Sequence, residues 1–321
     1  MSVIFDAKEQ LITDLVAREL LGYRSTGLPS VSDGTSHAIG EEFLNLLSAS
    51  RSPARSLANP TTGEANAIGA GFAEAIETFL RSCLCSPEAL AIRRENWEFQ
   101  RGKIYAGRQY AHLRLLERLD RDATRMKVDP VPSKPRSPKS KVAEREALAA
   151  EEREQLEVLL HGEYLVDADL LVLIPPKDHG QLTAKRRGGD RLVTADELKS
   201  LRSPLTAAPG EVPLCHANVS CKFTLRNDRG QNVRTEALQL ARQRRGPMPR
   251  MVVATAEVWP GRLESLGKGT GEIDCVYHLS LPLLERAVRR VSPPEVQRQL
   301  ELLIRADRLR DIADLPLDLL Q

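Results

Sequence analysis

The sequence predicts an α/β fold, because short apolar strand patterns alternate along the chain with patterns of helical period. Strand patterns occur at residues 163–174, 219–225 and 251–256 and from Ile273 onward. Apolar residues recur at helical spacing within residues 1–21, 61–80, 97–119, 235–242 and 296–309. Short strands separated by amphipathic helices are typical of a sheet with helices packed against it.

The composition and net charge limit the number of domains and the kind of partner. The chain has 321 residues, of which 41% are hydrophobic and 28% are charged, enough for one large domain or two ordinary ones. The formal net charge is only +2. A nucleic-acid partner would therefore have to contact local basic patches, since the surface as a whole is not basic.

The cysteines and the N-terminal segment predict a cytoplasmic protein without a membrane partner. Five cysteines form no CxxC pair and their number is odd, so no disulfide framework is indicated. Residues 1–21 carry Asp6, Glu9 and Asp14, which is typical of an amphipathic helix and not of a signal peptide. The longest apolar run, at 170–176, is far too short to span a bilayer.

The first third of the chain is expected to alternate between helix and loop. Residues 27–36 have the composition of a loop, and Asp33 in its Asp-Gly pair is by itself ordinary turn chemistry. Helical spacing resumes at 41–47. The pattern at 61–80 predicts a helix whose apolar side faces the core.

The middle of the chain changes composition abruptly. Residues 128–141 form a tract of Pro, Ser and Lys (VDPVPSKPRSPKSK), and a charged run of helix-forming residues follows at 142–160. A basic tract can contact phosphates, but a solvated linker is the commoner role of such a composition. We therefore expect one domain over residues 1–321 with an exposed insertion or linker at about 121–155.

Two aspartates interrupt the apolar strand at 163–174. Asp167 and Asp169 are two residues apart and therefore share one face of that strand. Burying an unpaired carboxylate is costly, so a strand of this kind carries aspartates either at an exposed edge or for a function. The pattern alone leaves both interpretations open.

The stretch from Val219 onward reads as strand, charged turn and helix. Apolar residues alternate from Val219 to Leu225, the period of a half-buried strand, which places Lys222 and Arg226 together on the other face. Residues 227–230 have turn composition. A helix is predicted over 235–242, with Glu236 close to its start.

Asp169, Lys222 and Glu236 form a set that suits metal-assisted cleavage of a phosphodiester. Carboxylates hold divalent cations that neutralise the phosphate and activate water, and a neighbouring lysine can orient that water and stabilise the developing charge. Ser220 stands two residues before Lys222, where many nucleases have an acid, and Glu236 could supply that carboxylate from the helix. These residue types are common, so spacing alone also allows purely structural roles.

Several ordered segments give the chain a more specific resemblance. The segments are SCKFTLRNDR at 220–229, TAE at 255–257, GTGEIDCVYH at 269–278, DLPLDL at 314–319 and YAHL at 110–113. Together they resemble the type II restriction endonucleases that cut CCGG-centred sites, in patches over most of the chain and most densely from Pro213 onward.

The resemblance implies a restriction-endonuclease-like mixed β-sheet flanked by helices and a role for each matched residue. Asp169 would bind Mg²⁺, Lys222 would be the catalytic lysine and Glu236 the displaced acid, with the backbone carbonyl of Cys221 as a further metal ligand. Arginine reads guanine O6 and N7 in the major groove, and aspartate accepts from cytosine N4. The residues expected to read the CCGG core are Arg226, Asp228 and Arg229.

The outer base pair would be read by residues elsewhere in the chain. Asp33 and Arg262 match the positions that one member of the resembled family uses for an outer G·C pair, and an arginine and an aspartate suit that pair chemically. The predicted site is therefore GCCGGC. The resemblance also implies a homotetramer that acts on double-stranded DNA, and a cognate DNA methyltransferase as a functional partner that is not a bound subunit.

The chain departs from the family pattern at three positions. Ala168 replaces a proline before the aspartate, a change that we expect to be tolerated. The family's additional helix glutamate falls near Ala67, with Glu64 one helical turn earlier on the same face. The family's minor-groove glutamine falls on Pro60, beside Asn59.

Two other functions remain open: a repair or recombination nuclease of the same fold, and a sequence-specific DNA-binding protein that no longer cleaves.

Overall fold

A computed structural model describes residues 2–18, 34–48, 62–114, 166–177, 179–185, 188–201, 212–225, 227–268 and 271–321. The predicted insertion at about 121–155 lies outside these ranges. Within the described helices, the side chains of residues 62–66, 181 and 227–229 are likewise outside the description.

A six-stranded mixed sheet forms the centre of the molecule, and its strands lie side by side in the order of the sequence. Antiparallel pairs join the first three strands, and parallel pairs join the third to the sixth. The strands are β1 (Glu98–Lys103), β2 (Asp167–Ile174), β3 (Leu214–Lys222), β4 (Arg250–Thr255), β5 (Cys275–His278) and β6 (Leu309–Asp311). The α/β fold with a mixed sheet and flanking helices is confirmed.

Helices lie before, between and after the strands. They are α1 (Val3–Ala17), α2 (Gly34–Ser48), α3 (Thr62–Leu84), α4 (Pro87–Ile92), α5 (His179–Thr183), α6 (Ala195–Ser200), α7 (Asn227–Gln243), α8 (Pro260–Gly267), α9 (Leu281–Val291), α10 (Pro294–Arg305) and α11 (Leu315–Leu319). Short 3-10 segments cover Ile104–Ala106, Arg108–Leu113 and Ile312–Asp314. No helix in the described ranges is both long and apolar enough to cross a membrane.

Helix α3 packs against the sheet as its sequence pattern predicts. Phe72, Ile76 and Phe79 are buried on one side of the helix. The ring of Phe72 meets that of Phe223 edge-on, with 5.6 Å between the centroids. Because Phe223 directly follows Lys222, this contact fixes α3 beside the end of β3.

The helical prediction for residues 97–119 is wrong for its described part up to Leu113, and residues 115–119 lie outside the description. Residues 98–103 form β1, which within the described ranges pairs with β2 alone, and the 3-10 segments follow it. Most of the β1 side chains are exposed or half-buried, so this edge strand lacks the alternation of apolar residues that identifies a strand in a sequence. Pairing with β2, and not local propensity, makes it a strand.

The structure also corrects the central stretch. Strand β3 ends at Lys222, and consecutive residues from Ala217 to Cys221 are all buried, so both faces of this central strand are covered. Helix α7 begins at Asn227, so the predicted turn at 227–230 is its first turn and Glu236 lies in the middle of the helix, not close to its start. Asn and Asp favour turns and helix N-termini alike, which explains the misassignment.

Two further boundaries differ from expectation. Helix α2 already begins at Gly34, inside the predicted loop 27–36, whose other residues up to 33 lie outside the description. The helix predicted over 296–309 ends at Arg305, where Asp307 adopts a left-handed backbone with φ of 59° before β6 begins. A non-glycine residue in that conformation interrupts a helix.

The two ends of the chain are tied to the same edge of the sheet. Lys8 Nζ of α1 lies 2.6 Å from Asp311 Oδ1 at the end of β6, and both side chains are nearly buried. Tyr277 Oη donates to Asp318 Oδ2 at 2.6 Å, which anchors α11. Leu315 and Leu319 are fully buried, so this apolar terminal segment packs against the body.

Candidate active site and DNA-reading segment

The antiparallel pairing of β2 with β3 brings Asp169 to the end of β3. Leu170 pairs with Val219 in this register, so Asp169 lies close to the residues that follow Val219. Its Oδ2 accepts a hydrogen bond from Lys222 Nζ at 2.6 Å and another from the backbone N–H of Cys221 at 2.9 Å. Two of the predicted catalytic residues therefore form a direct ion pair.

Glu236 reaches the same place from α7. Burial raises the pKa of this carboxyl, the positive charge of Lys222 opposes that effect, and the negative charges of Asp169 and Asp167 add to it. A cavity of about 430 Å³ is lined by Asp169, Lys222 and Glu236 together. The structure thus brings the three residues predicted from the sequence into one open site.

Asp167 shares the strand face with Asp169 but has a different environment. Its side chain is 67% exposed, and its Oδ1 lies 2.8 Å from Lys103 Nζ on the edge strand β1. An exposed pair of this kind contributes little to stability. Of the two aspartates, only Asp169 lines the cavity.

The thiol of Cys221 is not available as a metal ligand. Burial raises the pKa of this thiol well above its ordinary value, with a smaller contribution from Asp169, so it stays protonated at neutral pH. Metals bind the thiolate and not the thiol. The backbone carbonyl of Cys221 remains as the metal ligand that the resemblance implies. The backbone N–H of Cys221 already donates to Asp169.

The α3 side of the cavity offers small side chains, from Gly69, Ala70 and Ala73. Ala67 is exposed on the same helix, and the side chain of Glu64 lies outside the description. Within the described ranges, no three His, Cys, Asp or Glu side chains are grouped closely enough to hold a metal ion. Two carboxylates with a backbone oxygen and water still suit Mg²⁺, which usually keeps several waters in proteins.

The segment expected to read the CCGG core follows the site directly. Arg226 lies outside the described residues, and Asp228 and Arg229 belong to the first turn of α7 with their side chains outside the description. The backbone before them is well fixed. The N–H of Leu225 donates to Glu257 Oε2 at 2.8 Å, and the N–H of Ala256 donates to the carbonyl of Phe223 at 3.0 Å.

The two residues expected to read the outer base pair are only partly described. Arg262 lies in the first turn of α8, with 15% of its side chain exposed and Nη1 3.4 Å from Glu257 Oε2. Asp33 immediately precedes α2 and lies outside the description, as do Asn59 and Pro60.

Two residues near the site had no role assigned from the sequence. Arg101 lines the cavity, and its Nε lies 3.3 Å from Glu77 Oε2. Its segment was expected to be helical, so the sequence did not indicate that β1 lies beside β2. Glu257 is buried and contacts both the backbone of Leu225, directly before the reading segment, and Arg262. An acid directly after the apolar strand 251–256 was the available signal for Glu257.

Comparison with known proteins places this site in a family. The family model for the NgoMIV restriction enzyme matches residues 133–320, a span that begins inside the predicted insertion and contains Asp169, Lys222, Glu236, Glu257 and Arg262 but not Asp33. The type II restriction enzyme NgoMIV of Neisseria gonorrhoeae is 40% identical over 173 residues, 54% of this chain and 58% of that relative. The match therefore covers less than two thirds of the relative's length. The chain belongs to the NgoMIV restriction enzyme family.

Proposed function

We propose that this protein is a type II restriction endonuclease that hydrolyses double-stranded DNA at a specific sequence. The observation that carries the proposal is the position of the Asp169–Lys222 ion pair and Glu236 in one cavity, directly before the segment that starts at Arg226. Chemistry and base reading would then occur a few residues apart on one continuous stretch of chain.

Asp169, Glu236 and the backbone carbonyl of Cys221 would hold Mg²⁺. When bound, the ion neutralises the phosphate and lowers the pKa of a water molecule. Lys222 would donate from its ammonium to the scissile phosphate and orient the attacking water. Asp169 would keep the Lys222 side chain in place through their 2.6 Å contact.

Sequence would be read by arginines and aspartates. Arg226, Asp228 and Arg229 would contact the CCGG core in the major groove, and Arg262 and Asp33 would contact an outer G·C pair. The proposed site is therefore GCCGGC. Arg262 supports this proposal because the structure places it on the same buried carboxylate as the backbone of Leu225, next to the core-reading segment.

A plasmid-cleavage assay with and without Mg²⁺ tests this function. Cleavage at GCCGGC, with fragment ends located by sequencing, is the expected result. Cleavage without sequence preference would favour a repair or recombination nuclease of the same fold, and binding without cleavage would favour a non-enzymatic DNA-binding protein. Ends defined by CCGG with any outer pair would remove Asp33 and Arg262 from the set of base-reading residues.

We also propose that residues 1–321 form one domain and that the protein acts as a homotetramer in the cytoplasm, with its methyltransferase as a separate protein. The Lys8–Asp311 pair between the two ends of the chain supports a single domain. A tetramer should cut plasmids with two sites faster than plasmids with one and should cut both sites together. Sedimentation of a monomer, or of a dimer with single-site kinetics, would contradict it.

A further inference from the structure

We propose that Glu257 is a positioning residue for DNA specificity, because one buried carboxylate holds both the backbone of Leu225, directly before the core-reading segment, and Arg262, the arginine expected to read the outer base pair. This inference rests on the proposed function and adds a residue to it. Glu257 would not touch DNA itself. It would act through Leu225 and Arg262.

The contacts of Glu257 point in two directions from one side chain. Oε2 accepts from the backbone N–H of Leu225 at 2.8 Å and lies 3.4 Å from Nη1 of Arg262. Oε1 accepts from the backbone N–H of Trp259 at 3.0 Å, just before α8 begins. The carboxylate therefore joins the segment after β3, the loop after β4 and the first turn of α8.

Burial makes the carboxylate of Glu257 energetically costly unless donors surround it. Glu257 is only 3% exposed, and burial raises the pKa of its carboxyl while the hydrogen bonds from Trp259 and Leu225 and the charge of Arg262 oppose the shift. A buried carboxylate is tolerated only where donors compensate for the lost water. Here two backbone N–H groups and one guanidinium provide that compensation.

The contacts of Glu257 bear on specificity because of the positions of its two partners, Leu225 and Arg262. Leu225 is followed directly by Arg226, so the bond to its N–H sets the point from which the core-reading segment leaves the sheet. Arg262 has a long side chain that loses rotamer freedom when it binds a base. A guanidinium has five N–H donors, so one edge can stay on Glu257 while another meets a guanine, and less freedom is then lost on binding.

Replacement by glutamine preserves the volume of the side chain and removes the charge. A glutamine would offer one acceptor oxygen where the carboxylate offers two, and its amide nitrogen would face another donor. We therefore expect Glu257→Gln to release Arg262 and to relax selection at the outer base pair more than selection within the core.

The experiment measures kcat/KM on short duplexes that carry GCCGGC, the same core with an outer A·T pair, and an altered core. Wild type, Glu257→Gln, Arg262→Ala and the double variant are compared. Arg262→Ala and Glu257→Gln should each lower discrimination at the outer pair by about tenfold or more. The double variant should be no worse than Arg262→Ala alone, because both changes remove the same contact.

Glu272→Gln is the matched control, since Glu272 is also buried and holds an arginine, with Arg234 Nε at 2.8 Å. It should change stability without selectively changing outer-pair discrimination. If circular dichroism shows that Glu257→Gln is unfolded, Glu257→Asp replaces it, since the shorter carboxylate keeps the charge but cannot reach both partners.

These outcomes distinguish failure of the proposed function from failure of the role proposed for Glu257. A wild-type protein that neither binds nor cuts CCGG-containing DNA would overturn the proposed function and this inference with it. Specific cleavage by the wild type with outer-pair discrimination retained in folded Glu257→Gln, or in Arg262→Ala, would overturn the inference alone. An equal loss at outer and core pairs would also overturn it, by making Glu257 a general structural residue.

Discussion

The ammonium of Lys222 lies 2.6 Å from Oδ2 of Asp169, and the same oxygen accepts the backbone N–H of Cys221. The pair is neither fully buried nor freely exposed, because the two side chains line an open cavity. In the proposed function this pair acts on the phosphate and does not read bases.

Replacing either member of the pair should separate cleavage from binding. Asp169→Ala and Lys222→Ala should each lower the cleavage rate by a factor of about 100 or more, because the first removes a proposed metal ligand and the second removes the ammonium proposed to stabilise the phosphate and orient water. Specific binding to a GCCGGC duplex should stay largely intact, since the base-reading groups are elsewhere. Cleavage assays and gel-shift titrations measure the two effects separately.

Asp167→Ala is the matched control for that experiment. Asp167 lies on the same strand face but pairs with Lys103 at the exposed edge, so its removal should leave cleavage nearly unchanged. An inactive Asp167→Ala beside an active Asp169→Ala would show that the catalytic assignment is displaced by two residues.

Glu236 should make metal binding depend on pH. Burial raises the pKa of its carboxyl, and Asp169 and Asp167 contribute, while Lys222 opposes the shift. A metal ligand must be ionised, so Mg²⁺ should raise the melting temperature more at about pH 8 than at about pH 5. Glu236→Gln should abolish most of that increase.

The same group should affect stability without metal. Because its folded pKa is raised, proton binding by Glu236 favours the folded state below the unfolded pKa, and this contribution is lost as pH rises through the folded pKa. In EDTA, the melting temperature of Glu236→Gln minus that of wild type should therefore increase as pH rises. A difference in melting temperature that does not vary with pH would contradict this.

Gly261 should be intolerant of a side chain. A Cβ at this position would lie 2.8 Å from Nε1 of Trp259, whose backbone precedes α8 and is held by Glu257. Gly261→Ala should cost about 1 to 3 kcal/mol, because the indole must move, and should shift the tryptophan fluorescence.

Gly69→Ala serves as the comparison, because an added Cβ there meets nothing within 4 Å. Position 69 lies inside α3, so alanine should stabilise the protein by up to about 1 kcal/mol through helix propensity. Equal unfolding free energies for the two alanine variants would show that the indole adapts without cost.

The link between the two ends of the chain should be strong. Lys8→Ala removes the cation beside the nearly buried Asp311 carboxylate, to which the backbone N–H groups of Leu281 and Ala313 still donate, and should cost roughly 3 kcal/mol. Denaturant titration measures the loss. Lys199→Ala, which breaks the exposed pair with Asp196, should have no measurable effect. Separate unfolding transitions for the two ends would contradict a single domain.

The sequence by itself determined the α/β class, the core-facing side of α3 and the strand positions of Asp169 and Lys222. These features have a local cause, since burial of one face imposes a period of two on strands and of 3.6 on helices. The resemblance carried in residues 220–229 then attached a chemistry to those positions.

Tertiary structure decided the features whose cause is distant along the chain. Strand β1 exists because β2 pairs with it, and its exposed side chains leave no local pattern. Glu257 acquires its role only because the parallel pairing of β3 with β4 brings the ends of both strands together. Lys8 and Asp311 meet across nearly the whole sequence. Such contacts depend on which elements pack together, and no window of neighbouring residues contains that information.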